Sequence, residues 1–124
     1  MPCIPPISEE HARRFAAEWI AAWNAHDLEA ILAHYAPGVV LTSPVAARLL
    51  GDPSGTVAGI DALRVYFARG LQAYPGLRFE LLDVFHGLAS VVLVYTNQSG
   101  TRTAEFMECS AQGQVIRVVA NYSA

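Results

Sequence analysis

Lysine is absent from this 124-residue chain, and charge of either sign is scarce. Only 15% of the residues are charged, and the formal net charge is −3. The eight arginines are scattered, with Arg13-Arg14 as the one adjacent pair. No basic stripe is available to neutralise a phosphate backbone, so we expect no nucleic-acid partner. The missing lysine also excludes Schiff-base catalysis by a lysine side chain.

Long apolar runs and a leader pattern are missing as well. The longest apolar run surrounds Val91 to Tyr95 and falls far short of the roughly 20 residues that a membrane helix needs. Residues 1–10 show no basic region followed by an apolar core, which is the pattern of a signal peptide. We therefore expect no membrane association and a soluble, cytoplasmic protein.

The chain contains few residues that could bind a metal or form a disulfide. Cys3 and Cys109 lie far apart without metal-ligand spacing, so free thiols are expected, with a disulfide as the alternative. No two histidines share a motif with an acid at metal-ligand spacing. The histidines are His11, His26, His34 and His86. The sequence predicts neither a metal site nor a cofactor.

Apolar residues, in contrast, are abundant and make up 53% of the chain. The length predicts one domain over residues 1–124, with residues 1–7 as a flexible N-terminal segment. A chain of this size buries a core without disulfides or metal. The surplus of apolar area is expected to line a cavity or a subunit interface.

Hydrophobic periodicity predicts helices followed by strands. The first predicted helix runs from Ser8 to about residue 25, and a short second helix is capped by Asp27, has Tyr35 on its apolar face and is ended by Pro37-Gly38. A strand over 39–43, a hairpin-like excursion over 45–56 and a brief strand over 56–58 come next. A third helix is predicted over 59–74. Four strands follow, over 77–86, 90–97, 102–110 and 114–122. This order predicts an α+β fold in which three helices pack on one face of a mixed or antiparallel curved sheet. The outer face of the sheet is also apolar, which indicates a homodimer formed through that face.

Two segments of the chain resemble those of a known superfamily. They are the helix–elbow–helix segment Trp23-Asn24-Ala25-His26-Asp27-Leu28-Glu29-Ala30-Ile31 and the final strand ending Ala120-Asn121-Tyr122. In this element order they resemble the nuclear transport factor 2-like superfamily, in its SnoaL-like and ketosteroid isomerase-like branch. The superfamily also includes scytalone dehydratase and limonene epoxide hydrolase. The resemblance implies a cone-shaped fold around a deep apolar pocket, usually in a homodimer. It predicts function poorly, because this scaffold hosts many unrelated activities.

The ketosteroid isomerase pattern, carried over by position, implies specific site residues. The general base, an aspartate before the proline that ends the first strand, corresponds to Ser43. The helical tyrosine donor corresponds to Trp19, the protonated aspartic acid to Glu105, and a pocket aromatic to Tyr122. A serine without an adjacent base cannot remove a proton from carbon, and an indole is no acid. Ketosteroid isomerase chemistry itself is therefore not expected.

Glu105 is the carboxylate on which the functional hypothesis depends. Strand alternation places it on one face with Thr103, Met107 and Cys109. If this face lines the pocket, the apolar surroundings raise the pKa of Glu105 and suit it to general acid or base work. In the reverse register Glu105 lies in water or pairs with an arginine, and the pattern leaves both registers open.

These observations favour a protein that binds a small hydrophobic or aromatic molecule. If it is an enzyme, we expect cofactor-free acid–base chemistry of the isomerase, cyclase or dehydratase kind. The alternative is a non-catalytic ligand-binding or dimerisation module. Glu105 and Ser43 are the candidate catalytic residues. The candidate ligand-binding residues are Trp19, Tyr35, Phe67, Met107, Val118 and Tyr122.

Overall fold

The computed structural model describes residues 2–123, which form four helices and six strands. The helices are α1 (Glu9–Asn24), α2 (Leu28–Leu32), α3 (Pro44–Leu50) and α4 (Ile60–Ala73). The strands are β1 (Tyr35–Thr42), β2 (Thr56–Ala58), β3 (Glu80–His86), β4 (Ser90–Thr96), β5 (Arg102–Cys109) and β6 (Val115–Tyr122). The predicted α+β architecture is confirmed, with one helix more than expected. None of the helices within residues 2–123 is long and apolar enough to cross a bilayer.

The six strands form one mixed sheet in the order β2-β1-β6-β5-β4-β3. β1 and β6 run parallel, with Leu41 opposite Val118, and the other neighbouring strands are antiparallel. The last residues of β1 and β6 therefore lie at the same end of the sheet as the start of β5 and the finish of β4. Cross-strand pairing at this end places Thr103 between Tyr95 and Tyr122.

Helix α1 supplies much of the core that covers the sheet. The Ser8 hydroxyl caps it by accepting a hydrogen bond from the His11 backbone N–H at 3.1 Å. Its buried side includes Phe15, Trp19 and Trp23, at the spacing of one helical face. Helix α4 contacts β1 and buries a second stripe, which consists of Leu63, Tyr66 and Phe67.

The elbow after α1 fixes the segment that precedes β3. His26 has a φ of 54°, which is uncommon for a residue with a side chain, and its Nε2 donates to the Leu77 carbonyl at 2.9 Å. The Asn24 side chain donates to the Phe79 carbonyl at 2.9 Å and accepts from the Phe79 N–H at 2.7 Å. These bonds hold Leu77 and Phe79 beside the aromatic end of α1.

The predicted boundary between the second helix and the first strand is wrong. Helix α2 ends at Leu32, and Tyr35 begins β1 rather than continuing the helical face. Pro37 and Gly38 lie inside β1, where the register with β6 shifts between Tyr35 and Val40. Because proline has no backbone N–H to give to a ladder, such an irregularity is one of the strand positions that tolerate it.

The predicted hairpin-like excursion after Ser43 contains helix α3 instead. The Ser43 hydroxyl caps it by accepting from the Val45 N–H at 3.1 Å. Pro44 lies in the first turn, where backbone N–H groups have no acceptor within the helix, so its missing N–H costs nothing. Gly51 follows the helix with a φ of 67°. The sequence contains these start and stop signals, but the turn cluster over residues 51–55 favours a loop.

The described part of the N-terminal segment packs against the sheet, unlike the flexible segment predicted for residues 1–7. Cys3 and Ile7 are buried. The Cys3 N–H donates to Gly113 O and the Ile7 N–H donates to Leu88 O, both at 3.0 Å. Burial of these two apolar side chains offsets the entropy lost in ordering the segment. Met1 lies outside the described residues.

Candidate active site

A cavity of about 330 Å³ lies between the buried face of the sheet and helices α1, α3 and α4. Its deep wall is formed by Tyr95, Thr103 and Glu105 on β4 and β5. Its rim includes Arg48 on α3 and residues 97–99 after β4, and most of these side chains are exposed. The cavity is therefore at the sheet end where β1 and β6 finish.

Glu105 lies on the buried face of β5, as the first of the two registers predicted. Residues 103, 105, 107 and 109 are all buried, while their neighbours are partly exposed. Only 6% of the Glu105 surface is accessible, and its side chain lines the cavity. Its cross-strand neighbours are Leu93 and Ala120, so no positive side chain lies directly beside it in the sheet.

The Tyr95 hydroxyl donates a hydrogen bond to Glu105 Oε1 at 2.6 Å. Burial raises the pKa of Glu105 to about 7, although the Tyr95 bond by itself lowers it. The same burial and the nearby carboxylate raise the pKa of Tyr95, so Tyr95 stays protonated and remains the donor. Glu105 thus has one oxygen fixed by a phenol and the other, Oε2, left to exchange a proton near neutral pH.

Aromatic side chains from α1 and from the segment before β3 form another wall of the cavity. Trp19 stacks on Phe79 with ring centroids 5.8 Å apart, and Phe79 contacts Tyr95 at 4.5 Å. Trp23 meets Phe67 edge-on at 4.8 Å. Such rings present flat apolar surfaces at fixed positions, which suits a planar or cyclic ligand.

Ser43, Tyr66 and Tyr122 bring hydroxyl groups to another side of the same cavity. Desolvation raises the pKa of Tyr122 to about 12, and the pKa of Tyr66 rises for the same reason, while the Ser43 hydroxyl lowers both. These phenols therefore remain protonated and can donate. The Ser43 oxygen caps α3, and neither phenol is a base that could activate it as a nucleophile.

One buried polar atom on a residue of the cavity lining has no hydrogen-bond partner among the described residues. It is Thr103 Oγ1, on a residue that is 1% exposed. A buried group without a partner is costly, so a ligand or water that reached this oxygen would supply a missing bond. Thr103 precedes Glu105 by two residues on the same strand face, so the two groups point to neighbouring positions.

The structure brings five of the eight predicted site residues to the cavity lining. These are Trp19, Ser43, Phe67, Glu105 and Tyr122. The other three share the buried face or the core but do not line the cavity, which corrects that part of the prediction. Met107 and Val118 pair with each other farther along the sheet, and both are fully buried. The Tyr35 hydroxyl accepts from Trp19 Nε1 at 2.9 Å and belongs to the core around it.

Sequence reasoning did not assign site roles to Tyr95, Thr103, Tyr66 and Arg48. Tyr95 alternates with Val91 and Leu93 on β4, so its face is readable from the sequence. Its bond to Glu105 depends on the β4–β5 register, in which Tyr95 is opposite Thr103 and reaches Glu105 diagonally. Arg48 was hidden because helix α3 was not predicted.

The chain matches the SnoaL-like domain over residues 16–122. It belongs to the SnoaL-like family. The matched range contains the elbow and the final strand that carry the resemblance, and it contains every residue of the Glu105 wall. Membership of the SnoaL-like branch, predicted from the sequence, is confirmed.

Solved structures show how the SnoaL-like fold is shared. A SnoaL-like protein of unknown function from Burkholderia thailandensis is 36% identical, with 96% of this chain and 99% of that chain covered and a TM-score of 0.92. SalBIII, an epoxide hydrolase/cyclase-like enzyme with a role in pyran ring formation in salinomycin, is 17% identical, with 94% and 93% covered and a TM-score of 0.72. A candidate ketosteroid isomerase from Kribbella flavida is 18% identical, with 93% and 79% covered and a TM-score of 0.70. The last two show the fold alone. No curated protein matches the chain.

Proposed function

We propose that this SnoaL-like protein binds a small cyclic or aromatic molecule and transfers a proton within it, as a cofactor-free isomerase or cyclase. The observation that carries the proposal is the buried Glu105 carboxyl, held by the Tyr95 hydroxyl at 2.6 Å beside a cavity. A carboxyl whose pKa is about 7 is present in both protonation states near neutral pH, as a group that takes and returns protons must be.

The cavity supports this chemistry by its size and its lining. At about 330 Å³ it lies near the lower end of the roughly 300–1,000 Å³ range of small-molecule sites, which limits the ligand to a few fused rings. Glu105 would take a proton from a carbon next to a carbonyl, leaving an enolate whose oxygen needs a donor. The protonated phenols of Tyr66 and Tyr122 line the same cavity.

Exchange of carbon-bound protons tests the proposal without knowledge of the natural substrate. In D₂O near neutral pH, 1-tetralone should exchange the protons next to its carbonyl faster with the wild-type protein than in buffer alone. NMR follows the exchange, and shifts of the Trp19 and Trp23 indole N–H signals report that the ketone occupies the cavity. Occupancy without faster exchange would contradict the catalytic proposal.

A non-catalytic binding module is the second candidate. It is favoured by Ser43, which stands where ketosteroid isomerases have their aspartate base and which here caps α3. The module would bind 1-tetralone with the same indole shifts but leave the exchange rate at its buffer value.

We also propose that the protein forms a homodimer through the outer face of the sheet. Phe85, Val92, Phe106 and Val119 pair directly across β3, β4, β5 and β6 and form one apolar row on that face. Phe85 is 57% exposed in the single chain. A second copy of the same face would remove this row from water.

Phe106→Asp tests the dimer because it places a charge in the middle of that row. Light scattering after size exclusion should give twice 13.4 kDa for the wild type and 13.4 kDa for the variant. Val65→Asp, at a residue that is 59% exposed on α4, is the control and should remain dimeric. A wild type that elutes as a monomer at high concentration would refute the dimer.

A further inference from the structure

The cavity has two charged residues in its lining, at opposite depths. Glu105 lies at the deep wall, and Arg48 lies at the rim. The Arg48 guanidinium donates to the Tyr74 hydroxyl at 3.2 Å. Ion pairs within residues 2–123 join other arginines to acids, as in Arg13–Glu9 and Arg64–Glu29. Arg48 has no carboxylate partner among them, so its charge is available to a ligand that enters the cavity.

Asn97 also lines the cavity and offers a further donor. The Asn97 side-chain oxygen accepts from the backbone N–H groups of Ser99 at 2.9 Å and Thr101 at 3.1 Å. Because the oxygen is engaged by its own loop, the amide nitrogen is what Asn97 can offer to a ligand. The Arg48 guanidinium and the Asn97 amide nitrogen are both donors of this lining, and a guanidinium binds a carboxylate well.

The deep wall of the cavity would bind a different polar group of the ligand. Thr103 Oγ1 is buried without a partner among the described residues and stands beside Glu105 on β5. A ligand carbonyl or hydroxyl oxygen could bond to the Thr103 hydroxyl, which would place the neighbouring ring carbon near Glu105. Aromatic side chains of the same lining, among them Trp19 and Phe79, give the body of the ligand an apolar surface to contact.

We propose that the ligand is a cyclic oxo or hydroxy acid, with its ring oxygen at Thr103, the adjacent ring carbon at Glu105 and its carboxylate at Arg48. This inference rests on the proposed function and specifies its substrate class. The overall charge of the protein is −3, so the attraction for an anion is local to this rim rather than a property of the whole surface.

Three related probes separate the two ends of the proposed ligand: 6-hydroxy-2-naphthoate, 2-naphthoate and 2-naphthol. Calorimetry should show the hydroxy acid binding most tightly to the wild type. Arg48→Gln should weaken both carboxylates by about 10- to 150-fold, the factor expected for one charged hydrogen bond, and leave 2-naphthol unchanged. Thr103→Val should weaken the two hydroxylated probes and leave 2-naphthoate unchanged.

Controls separate this inference from the proposed function. Arg13→Gln, on an exposed helix surface away from the cavity, should leave all three affinities unchanged, and indole N–H spectra check that each variant is folded. If the carboxylate gives no advantage in the wild type, or if Arg48→Gln weakens 2-naphthol as much as 2-naphthoate, the substrate class is wrong while the cavity still binds. If neither the three probes nor 1-tetralone shift the indole signals, both the substrate class and the proposed function are wrong.

Discussion

Glu105→Gln is expected to slow the exchange of 1-tetralone protons by about 10²–10⁴-fold, the usual contribution of a general acid or base. The amide keeps the size of the carboxyl and can still accept from the Tyr95 hydroxyl, but it cannot take a proton at neutral pH. The fold and the binding of the ketone should therefore persist. NMR exchange rates at saturating ketone, with indole shifts as the measure of occupancy, give the result.

Glu108→Gln is the matched control for this variant. Glu108 lies on the same strand but on the opposite face, and it pairs with Ser90 and Arg117 rather than lining the cavity. It should exchange protons at the wild-type rate. Equal rates in the wild type and in Glu105→Gln would remove Glu105 from the mechanism.

Glu105→Gln is also expected to change how stability depends on pH. Burial raises the pKa of Glu105 from 4.5 to about 7, so the folded protein holds this proton more tightly than the unfolded chain does. Its stabilising contribution is complete below pH 4.5, decreases as the pH rises, and is lost above pH 7. The difference between the two pKa values corresponds to about 3 kcal/mol.

Urea unfolding at about pH 4 and about pH 8 measures this contribution. The free energy of unfolding of the wild type should fall by about 3 kcal/mol more than that of Glu105→Gln over this interval. Other titrating groups, such as His34, whose pKa burial lowers, affect both proteins alike and cancel. Parallel pH profiles for the two proteins would show that Glu105 titrates as in an open chain.

The sequence was most informative where one physical signal decided the structure. Ser8 and the apolar spacing of α1, and the period-2 pattern of β4 to β6, predicted those elements correctly. The same alternation placed Glu105 on a face with Met107, and the structure confirms that this face is buried. The alternation pattern does not predict at which end of that face the cavity lies, because the position of a cavity depends on how far the helices extend over the sheet.

Competing signals explain the errors. Pro37-Gly38 ends many helices, yet here the pair lies at an irregular point of β1. The turn residues at 51–55 outweighed the cap, the proline and the helix-forming residues of α3. Missing that helix concealed Arg48. The Tyr95–Glu105 bond depends on strand register, which a single sequence specifies only through the turns between the strands.

A ¹³C NMR titration of the Glu105 side-chain carboxyl, assigned by its loss in Glu105→Gln, tests most directly whether this cavity holds a proton-transfer group. The account predicts a midpoint at a pH of about 7, shifted further upward in Tyr95→Phe because that variant loses the hydrogen bond that lowers the pKa. A midpoint near 4.5, the ordinary value for a glutamate, unchanged by Tyr95→Phe, would contradict it.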